Sequence, residues 1–501
     1  MPKLAGQGAL LPFLELGHGN RAPLHQQLTQ QLRVAILSRQ LHPGQRLPAT
    51  RTLAQQLEVS RSTVVTAVEQ LVDEGYLESA VGSGTFISSK LSVSRPEPAL
   101  IRPRVGPRPV GPLSKRGHRM VKDFGGAELN PFQARPFAHN IPALDLFPTG
   151  IWNRLTNRVQ RNPSRHLMNY GEPAGFRPLR HAIADYVAES RGVNCESEQV
   201  IITSGSQKAI HLSASLLLDP DDQVLMEDPG AVLAGQVFQA QGAKLRAVSV
   251  DDDGLDVTKA LTMAPNAKLA YVTPSCQYPL GVTLPVSRRL NLLEWAARKS
   301  AWILEDDEDS EFRFVGRSAP SMQGLDQAGR VIYVWSFSEV LFPSLRLGVL
   351  IVPPDLVEAF SVSNGLVDRG PPSWPQAVLY EFINDGYFAS HIRRMRSAYA
   401  ARKQALLDAL DAELSGLLEP KPVENGLRIL ANLSPELIDG DAERAAGQRG
   451  ITCYALSRYC KQRSDMQGLI LGFACTPQEE MRNHVKSLAR ALEGLKPSGD
   501  V

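Results

Sequence analysis

The residues best suited to chemistry follow two strand-like runs. Where "QVIITSG" meets "SQKAIHLSASLLL", Gly205, Ser206 and Gln207 stand at a predicted strand-to-helix turn. Backbone N–H groups and hydroxyls at the start of a helix are suited to hold a phosphate. In "AWILEDDEDS", a buried-strand pattern ends in acids that include Asp306 and Asp307. Because strand ends line the binding crevice of α/β sheets, these acids are predicted to lie in a ligand site rather than in a solvated loop.

Strand-like runs alternate with helical patterns through the rest of this region. Further examples are "DQVLMEDPG", "AKLAYVTPS" and "VIYVWSFS", each followed by a helix or a loop. Short buried strands separated by helices indicate an α/β fold with a mainly parallel sheet. The sequence shows no internal repeat.

Composition limits the class of protein. The 501 residues suffice for two to four domains, and 43% are hydrophobic. The net charge is only +2, but residues 1–122 hold 16 Lys and Arg against 7 Asp and Glu, so the rest carries −7. A basic N-terminal part predicts a polyanionic partner. Five cysteines without a C-x-x-C pair, no apolar leader and no long apolar run predict a cytoplasmic protein without disulfides, zinc or a membrane span.

A segment rich in Pro, Gly and Arg divides the chain. It covers residues 91–135 and reads as a semi-rigid, extended linker. Its basic residues either contact phosphates or only keep it solvated. The linker separates an N-terminal domain at 15–90 from a C-terminal domain at 136–501, which is predicted to have a large part at about 150–385 and a small part at about 386–501.

The N-terminal domain has the pattern of two short helices joined by a tight turn. Thr50 is a predicted N-cap for the first and Ser60 for the second, ahead of a buried stripe that includes Val64, Val68 and Leu71. "GYLESAVGSGTFIS" then reads as a β-hairpin, which would be a wing. The alternative is a small helical bundle with an ordinary polar surface.

The motifs "PGQRLPATRTLA", "VSRSTV", "EGYL" and "GSGTF" resemble the winged helix-turn-helix domain of the GntR family over about residues 22–88. The resemblance implies DNA binding, and Glu58 stands where glycine is common in the turn. Arginine can reach phosphates or the edge of guanine, and hydroxyls at a helix start can donate to phosphates. The candidate DNA-binding residues are Arg46, Arg51, Ser60, Arg61, Ser62, Thr63, Gly82, Ser83, Gly84 and Thr85.

The C-terminal domain resembles fold-type I aminotransferases, and the whole chain resembles the MocR subfamily of GntR regulators. The motifs include "NYGEPAGFRPLRHAIADYV", "TSGSQKAIHL", "WILEDDEDSEFRF" and "SFSEVLFPSLRLG". The resemblance implies a site for pyridoxal phosphate, in which Asp306, or Asp307 if the register is shifted, partners the pyridine nitrogen. The implied phosphate ligands are Gly205, Ser206, Gln207, Ser336, Ser338 and Arg346.

The sequence departs from the family at the reactive end of this site. Glu339 replaces the lysine that would form a Schiff base, Glu308 replaces a tyrosine, Ala231 an aromatic residue and Cys276 a histidine. Without an amine there is no ordinary route to transamination. We therefore predict no catalysis, and a pocket that binds pyridoxamine phosphate, or another amine with an anionic group, in preference to pyridoxal phosphate. Any binding of either cofactor would be non-covalent.

The predicted function is a homodimeric transcriptional regulator. The dimer would bind paired or repeated DNA half-sites and sense an amino acid, an amine or a related catabolite, with catabolic genes for such compounds as its targets. Two alternatives stay open at this stage. One is an active aminotransferase tethered to DNA, and the other is a scaffold that binds DNA regardless of any metabolite.

Overall fold

The computed structural model forms two compact units, Met1–Val110 and Gly111–Val501. The residues that the structure describes are 14, 16–17, 22–80, 84–90, 113–123, 135–161, 163–314, 316, 319–421 and 423–495. The tip of the predicted wing at Gly82 and Ser83, and most of the predicted linker, lie outside them. Within the described ranges, no helix combines the length and apolar character needed to cross a bilayer.

The N-terminal unit is three helices and a hairpin. These are α1 (Leu24–Leu37), α2 (Thr50–Gln56), α3 (Arg61–Asp73), β1 (Leu77–Ala80) and β2 (Gly84–Ile87), the two strands pairing antiparallel. Its core contains Leu28, Leu32, Leu53, Val64 and Leu71, all almost fully buried. The predicted helix-turn-helix and wing are confirmed.

The caps of α2 and α3 differ in kind. The Ser60 hydroxyl accepts a bond of 3.1 Å from the Thr63 amide, which confirms Ser60 as an N-cap. The prediction for Thr50 is wrong by one residue: Ala49 is the N-cap, because its carbonyl already accepts the first helical bond, from Leu53. Glu58 takes a left-handed φ of 53° in the turn between the helices.

The C-terminal unit is built on an eight-stranded sheet of order β3-β10-β9-β8-β7-β4-β5-β6. The strands β5, β4, β7, β8 and β9 run parallel, whereas β10 and β6 are antiparallel to their neighbours. Their bounds are β3 (Val200–Thr203), β4 (Gln223–Asp228), β5 (Lys244–Asp251), β6 (Gly254–Leu255), β7 (Leu269–Val272), β8 (Trp302–Asp306), β9 (Val331–Ser336) and β10 (Gly348–Ile351). The expected mainly parallel sheet is confirmed.

Helices cover both faces of this sheet, because its strands are apolar on both sides. On β3, Ile202 faces one core and Ile201 the other. The helices are α4 (Lys115–Asp123), α5 (Thr149–Arg161), α6 (Arg165–Met168), α7 (Arg177–Arg191), α8 (Ser206–Leu217), α9 (Val232–Gln241), α10 (Val257–Met263), α11 (Val286–Lys299), α12 (Met322–Leu325), α13 (Val357–Asp368), α14 (Ser373–Asn384), α15 (Tyr387–Leu414), α16 (Asp439–Gln448) and α17 (Met481–Glu493).

A smaller antiparallel sheet follows the long helix α15. Its order is β11-β12-β14-β13, with bounds β11 (Leu418–Pro420), β12 (Arg428–Leu433), β13 (Tyr454–Ala455) and β14 (Leu469–Gly472). Helices α15, α16 and α17 pack against it through residues such as Leu410, Ala442 and Val485. This sheet carries Arg428 toward the main sheet.

Helix α4 lies inside the region predicted to be an extended linker. The prediction for 91–135 is therefore wrong at 115–123, which form an α-helix. The helix packs beside α9, where the Arg116 guanidinium donates a bond of 2.6 Å to the Gln241 amide oxygen. Tertiary contact of this kind stabilises short helices whose sequence alone gives only a weak signal.

Candidate functional site

A cavity lies beside the ends of β8 and β9 and the first residue of α8. Its lining residues are mostly acidic. They come from the end of β8 and the run that follows it, from the end of β9 and the turn that follows it, and from the first residue of α8. They are Ser206, Asp306, Asp307, Glu308, Asp309, Glu311, Trp335, Ser336, Glu339 and Val340. The carboxyl ends of these strands form the crevice in which α/β proteins bind ligands.

One end of the cavity is suited to an anion. Gly205 is the N-cap of α8 with a φ of +117°, and a β-carbon there would come within 3.1 Å of Nη2 of Arg346. The glycine therefore allows this guanidinium to lie against the start of the helix, next to Ser206, which lines the cavity together with Ser336. Of the six candidate phosphate ligands, Ser206 and Ser336 thus line the cavity, and Gly205 and Arg346 meet at the start of α8.

The other two candidate phosphate ligands lie at neighbouring positions. Gln207 is the second residue of α8. The Ser338 backbone amide donates a bond of 3.0 Å to the Ser336 hydroxyl, so Ser338 helps to hold Ser336 in place. Neither side chain is among the residues that line the cavity.

Asp306 and Asp307 have different surroundings. Asp306 ends β8 and accepts one bond of 2.7 Å from the Tyr271 hydroxyl, and burial raises its pKa to about 6. One carboxylate oxygen of Asp307 accepts bonds from Arg191, Ser310 and Tyr333 at 3.0, 2.6 and 2.6 Å. Asp307 is thus tied into the protein interior, and this geometry favours Asp306 as the acid that faces a ligand.

Two glutamates stand at the reactive end. Glu339 is partly buried, and its carboxylate accepts a bond of 3.2 Å from the Ser336 hydroxyl. Burial raises the pKa of Glu339 to about 8, and the nearby Asp309 charge acts in the same direction. Glu308 accepts a bond of 3.2 Å from Arg428, and burial raises its pKa as well.

Two buried arginines partly balance this acidity. Arg191 pairs with Asp307 at 3.0 Å and with Glu311, and Arg428 pairs with Glu308 and Asp309, both at 3.2 Å. Four of the six lining carboxyl groups therefore share two cations. Among the described residues, the other two, which are Asp306 and Glu339, have no Lys or Arg within ion-pair distance.

Arg428 also joins the small sheet to the rest of the unit. It lies on β12 with its guanidinium 4.4 Å from the centre of the Tyr278 ring. The Tyr278 hydroxyl is 2.8 Å from Nε2 of His139, whose burial lowers its pKa to about 3. Neither Arg191 nor Arg428 was among the site residues predicted from the sequence. An arginine inside the apolar strand pattern "LRIL" was the available signal for Arg428.

The two remaining departures from the family pattern are not among the residues that line the cavity. Cys276 is almost fully buried, and burial raises the pKa of its thiol. Its sulfur would be 2.9 Å from a β-carbon on Gly426, so it packs at the base of the small sheet. Ala231 is the N-cap of α9 and packs against the core.

The candidate DNA-contacting residues gather at the start of α3 and beside the hairpin. Arg51 and Arg61 are exposed, and the Ser60 hydroxyl lies 2.8 Å from those of both Ser62 and Thr63. The guanidinium of Arg46 lies against β2, where a β-carbon on Gly84 would come within 2.8 Å of its Nε.

The hairpin fixes the backbone around Arg46. The Leu47 amide donates to the Thr85 carbonyl at 2.9 Å, and the Thr85 side chain lies 3.4 Å from the Ser79 hydroxyl. Arg46 is therefore held at the wing, whereas the hydroxyl cluster is held at the helix N-terminus, which attracts phosphate. The predicted contacts at Gly82 and Ser83 lie outside the described residues.

Comparison with known proteins gives the same two parts. Residues 24–87 match bacterial regulatory proteins of the gntR family, and residues 151–463 match aminotransferases of class I and II. The chain is 39% identical to the probable rhizopine catabolism regulatory protein MocR of Rhizobium meliloti, over 97% of each chain. It is 30% identical to the pyridoxine biosynthesis transcriptional regulator PdxR of Corynebacterium glutamicum, over 91% of this chain and 93% of that one.

A solved structure extends the likeness to an enzyme. The crystal structure of LysN, the α-aminoadipate aminotransferase of Thermus thermophilus, matches with a TM-score of 0.68 and 26% identity, over 76% of this chain and 97% of that chain. The enzyme-like fold occurs here in a chain that also has the gntR-type domain. The protein therefore belongs to the gntR family of bacterial regulatory proteins, and it is a DNA-binding transcriptional regulator of the MocR type with an aminotransferase-like domain.

Proposed function

We propose that the aminotransferase-like domain binds an amine that also carries a phosphate, of the pyridoxamine phosphate kind, and that this ligand controls DNA binding. One observation carries the proposal. The cavity is lined by Ser206, the first residue of a helix whose N-cap Gly205 lies against the Arg346 guanidinium, and by two carboxyl groups, Asp306 and Glu339, without a basic partner among the described residues. A ligand ammonium would supply the missing positive charge.

The residues fit such a ligand better than they fit covalently held pyridoxal phosphate. Asp306 would pair with the pyridinium nitrogen, and Ser206, Ser336 and Arg346 would hold the phosphate. In aminotransferases the bound cofactor supplies an electron sink for chemistry at the α-carbon. Here Glu339 offers no amine to hold an aldehyde, and Lys208 is engaged at 2.7 Å with Asp368. The domain would therefore bind its ligand without turnover.

The relative named for pyridoxine biosynthesis supports a ligand related to vitamin B6, and the relative named for rhizopine catabolism supports a catabolic target. Ligand control of DNA binding requires that the ligand prefer one arrangement of the protein over another. Two alternatives came from the sequence. An active aminotransferase predicts turnover of an amino acid with a 2-oxo acid, and a ligand-independent scaffold predicts DNA binding that no added compound changes.

A dimer is also part of the proposal. Met168, Tyr170 and Leu366 are 71, 78 and 84% exposed, and Arg369 lies 5.1 Å from the Tyr170 ring, beside α13. Apolar side chains concentrated in this way favour an interface. A homodimer would present two winged helices to paired or repeated half-sites.

The first prediction concerns ligand preference. In calorimetric titrations of the full chain, we expect pyridoxamine phosphate to bind at least about tenfold more tightly than pyridoxal phosphate, because an ammonium beside Glu339 contributes about 1.4 kcal/mol or more. Glu339→Gln, which keeps the shape and removes the charge, should abolish most of this preference. Borohydride should trap no lysine adduct with the wild-type chain.

The controls separate the alternatives. Glu339→Lys should capture pyridoxal phosphate in a borohydride-stable adduct, which would show that the rest of the site accepts the cofactor. Equal affinity of the wild-type chain for the two compounds would contradict the proposal. Turnover of an amino acid with a 2-oxo acid would restore the enzyme interpretation, and operator binding that ignores every added compound would favour the scaffold.

A further inference from the structure

A second cavity of the C-terminal unit is opposite in charge to the acidic cavity at the ends of β8 and β9. The described residues that line it include two arginines and no acid. They belong to the segment between β7 and α11, to α11 itself, to the run after β8 and to the segment before β12. Its polar lining residues are Ser275, Thr283, Arg289, Ser310, Arg313 and Asn425. We refer to it as the arginine cavity.

Arg289 is a buried cation that no described carboxylate balances at ion-pair distance. Its side chain is fully buried on α11, and its guanidinium donates three bonds of 2.8 Å to backbone carbonyls. The acids whose charges act on it are engaged elsewhere, Glu305 with two backbone amides and Asp307 with Arg191. Because burying an uncompensated charge is costly, a counter-ion is expected close to this guanidinium.

Arg313 adds a second positive charge to the same cavity. Burial lowers the pKa of Arg289, and the charge of Arg313 acts in the same direction, so the two guanidinium groups repel each other. Arg313 pairs with Glu424 at 2.8 Å, but the Glu424 side chain is 60% exposed. Water screens a pair of this kind. Two neighbouring cations in one cavity therefore favour an anion that both of them contact.

Asn425 requires a hydrogen-bond donor from the occupant of the cavity. It is almost fully buried, and its amide nitrogen donates to the Ser275 carbonyl. Because a carbonyl only accepts, this bond fixes the orientation of the amide and leaves Oδ1 as an acceptor. The Oδ1 atom is buried and has no hydrogen-bond partner among the described residues. Water would satisfy Oδ1 without neutralising the arginines, and an anion without a hydrogen would do the reverse.

We propose that the arginine cavity binds a small oxyanion that carries a hydrogen, of the hydrogencarbonate or hydrogenphosphate kind. Its negative charge would lie between Arg289 and Arg313, and its O–H would donate to Oδ1 of Asn425. The cavity encloses about 220 Å³ including its opening, against about 30 Å³ for one water molecule, so it suits an ion of a few atoms. This site does not depend on the ligand proposed for the acidic cavity.

An anion at this place would connect two parts of the C-terminal unit. Arg313, from the run after β8, stands opposite Asn425 in an isolated antiparallel bridge, and Asn425 precedes β12 of the small sheet. The hydroxyl of Ser310 donates a bond of 2.6 Å to Asp307, which lines the acidic cavity. Binding to this folded arrangement alone would stabilise the unit.

The test measures the melting temperature of the full chain at fixed pH and ionic strength, with chloride replaced by hydrogencarbonate, phosphate or nitrate. Nitrate is the control anion, because it matches hydrogencarbonate in charge and shape but has no hydrogen to donate. At a tenfold excess over the dissociation constant, we expect a hydrogen-bearing anion to raise the melting temperature by about 2 °C. Nitrate should raise it much less, and the larger of the two other responses identifies the ion.

Two variants assign the effect to the cavity. Arg313→Gln removes one of the two charges and should abolish the rise. The matched control, Arg288→Gln, removes the adjacent charge on α11, which pairs with Asp251 at 2.7 Å and does not line the cavity, so the rise should remain. Each variant is compared with itself in different anions, so its own stability does not affect the result.

A crystal structure in the effective anion should show that anion in contact with Arg289 and Arg313. The proposal is overturned if no anion raises the melting temperature of the wild-type chain, or if nitrate acts as strongly as the hydrogen-bearing anions. A rise that survives in Arg313→Gln, or a cavity that contains only water in those crystals, would overturn it as well.

Discussion

The protonation state of the Glu339 carboxyl group depends on the charges next to it. Without a cation, burial and the neighbouring acids hold its pKa at about 8. The acids that face it are Asp306 at the end of β8, and Glu308 and Asp309 from the run that follows. At neutral pH it is therefore mostly protonated. A ligand ammonium would favour the ionised form and lower this pKa, so binding would release a proton.

This linkage predicts pH-dependent affinity. As pH rises toward 8, the cost of ionising Glu339 disappears, so pyridoxamine phosphate should bind more tightly, by about tenfold between pH 6.5 and 7.5. Above pH 8 the affinity should level off. Calorimetric titration across this range measures the effect, and Glu339→Gln should flatten it. A wild-type affinity that does not change over the range would mean that no cation pairs with Glu339.

Individual residues also show which parts of the candidate site could be predicted from the sequence. Ser206, Ser336 and Asp306, which line the cavity, could be chosen as candidates because each belongs to a short ordered motif next to a strand. Arg428 could not, because it comes from the small sheet, more than one hundred residues away from Glu308 and Asp309 along the chain. Pairing between distant segments leaves no local pattern.

At the scale of elements, the turn between α2 and α3 contains a conformational strain. Glu58 has a φ of 53°, a conformation that is unfavourable for a residue with a β-carbon. We expect Glu58→Gly to stabilise the N-terminal unit by about 0.5–1 kcal/mol, the relief of strain exceeding the added flexibility of the unfolded chain. Denaturant unfolding followed in the helix signal would measure this change.

The control for the turn is Glu58→Ala, which removes the charge but keeps the β-carbon and its strain. It should be no more stable than the wild type by this mechanism. If alanine and glycine stabilise equally, the cause is the glutamate side chain and not the backbone.

The attachment of the small sheet gives a second prediction for elements. Arg428 on β12 is buried between Glu308 and Asp309, which follow β8. Arg428→Met should destabilise the C-terminal unit by about 3–5 kcal/mol, because it leaves two buried acids without their cation. Unfolding in denaturant, monitored by tryptophan fluorescence, gives the value.

A double variant tests the cause of that loss. Adding Glu308→Gln to Arg428→Met removes one stranded charge and should recover part of the stability, so the two substitutions should not be additive. Strict additivity would show that Arg428 acts through packing on Tyr278 and not through its acids.

Secondary structure could be predicted from the sequence where a local pattern determines it. The prediction failed where contacts between elements determine the structure. The alternation of strands and helices indicated the parallel part of the sheet, since each strand there is a continuous apolar run. The antiparallel insertion of β10 between β3 and β9 follows from topology, which apolar runs do not encode. Helix α4 was missed because its nine residues depend on α9 for stability.

At the scale of the whole molecule, the distribution of charge matches the two roles, DNA binding by the N-terminal part and the proposed ligand binding by the C-terminal unit. The first 122 residues carry +9, and the remainder carries −7. Like charge repels the acidic body from DNA, while the basic part is attracted to it. By the same separation of charge, DNA would bind the basic N-terminal part. The cationic group of a ligand would bind in the acidic cavity of the C-terminal unit.

Coupling between these ends is a matter of linkage. If the ligand changes the affinity for DNA by some factor, DNA must change the affinity for the ligand by the same factor.

The crowding of six carboxyl groups around two arginines has a calorimetric consequence. Protons leaving the cavity when a cation enters would be taken up by the buffer, and each buffer has its own heat of ionisation. The observed enthalpy of binding should therefore vary linearly with the ionisation enthalpy of the buffer, and the slope counts the protons released. For this regulator, acidity would be a second signal, competing with the ligand for the same oxygen atoms.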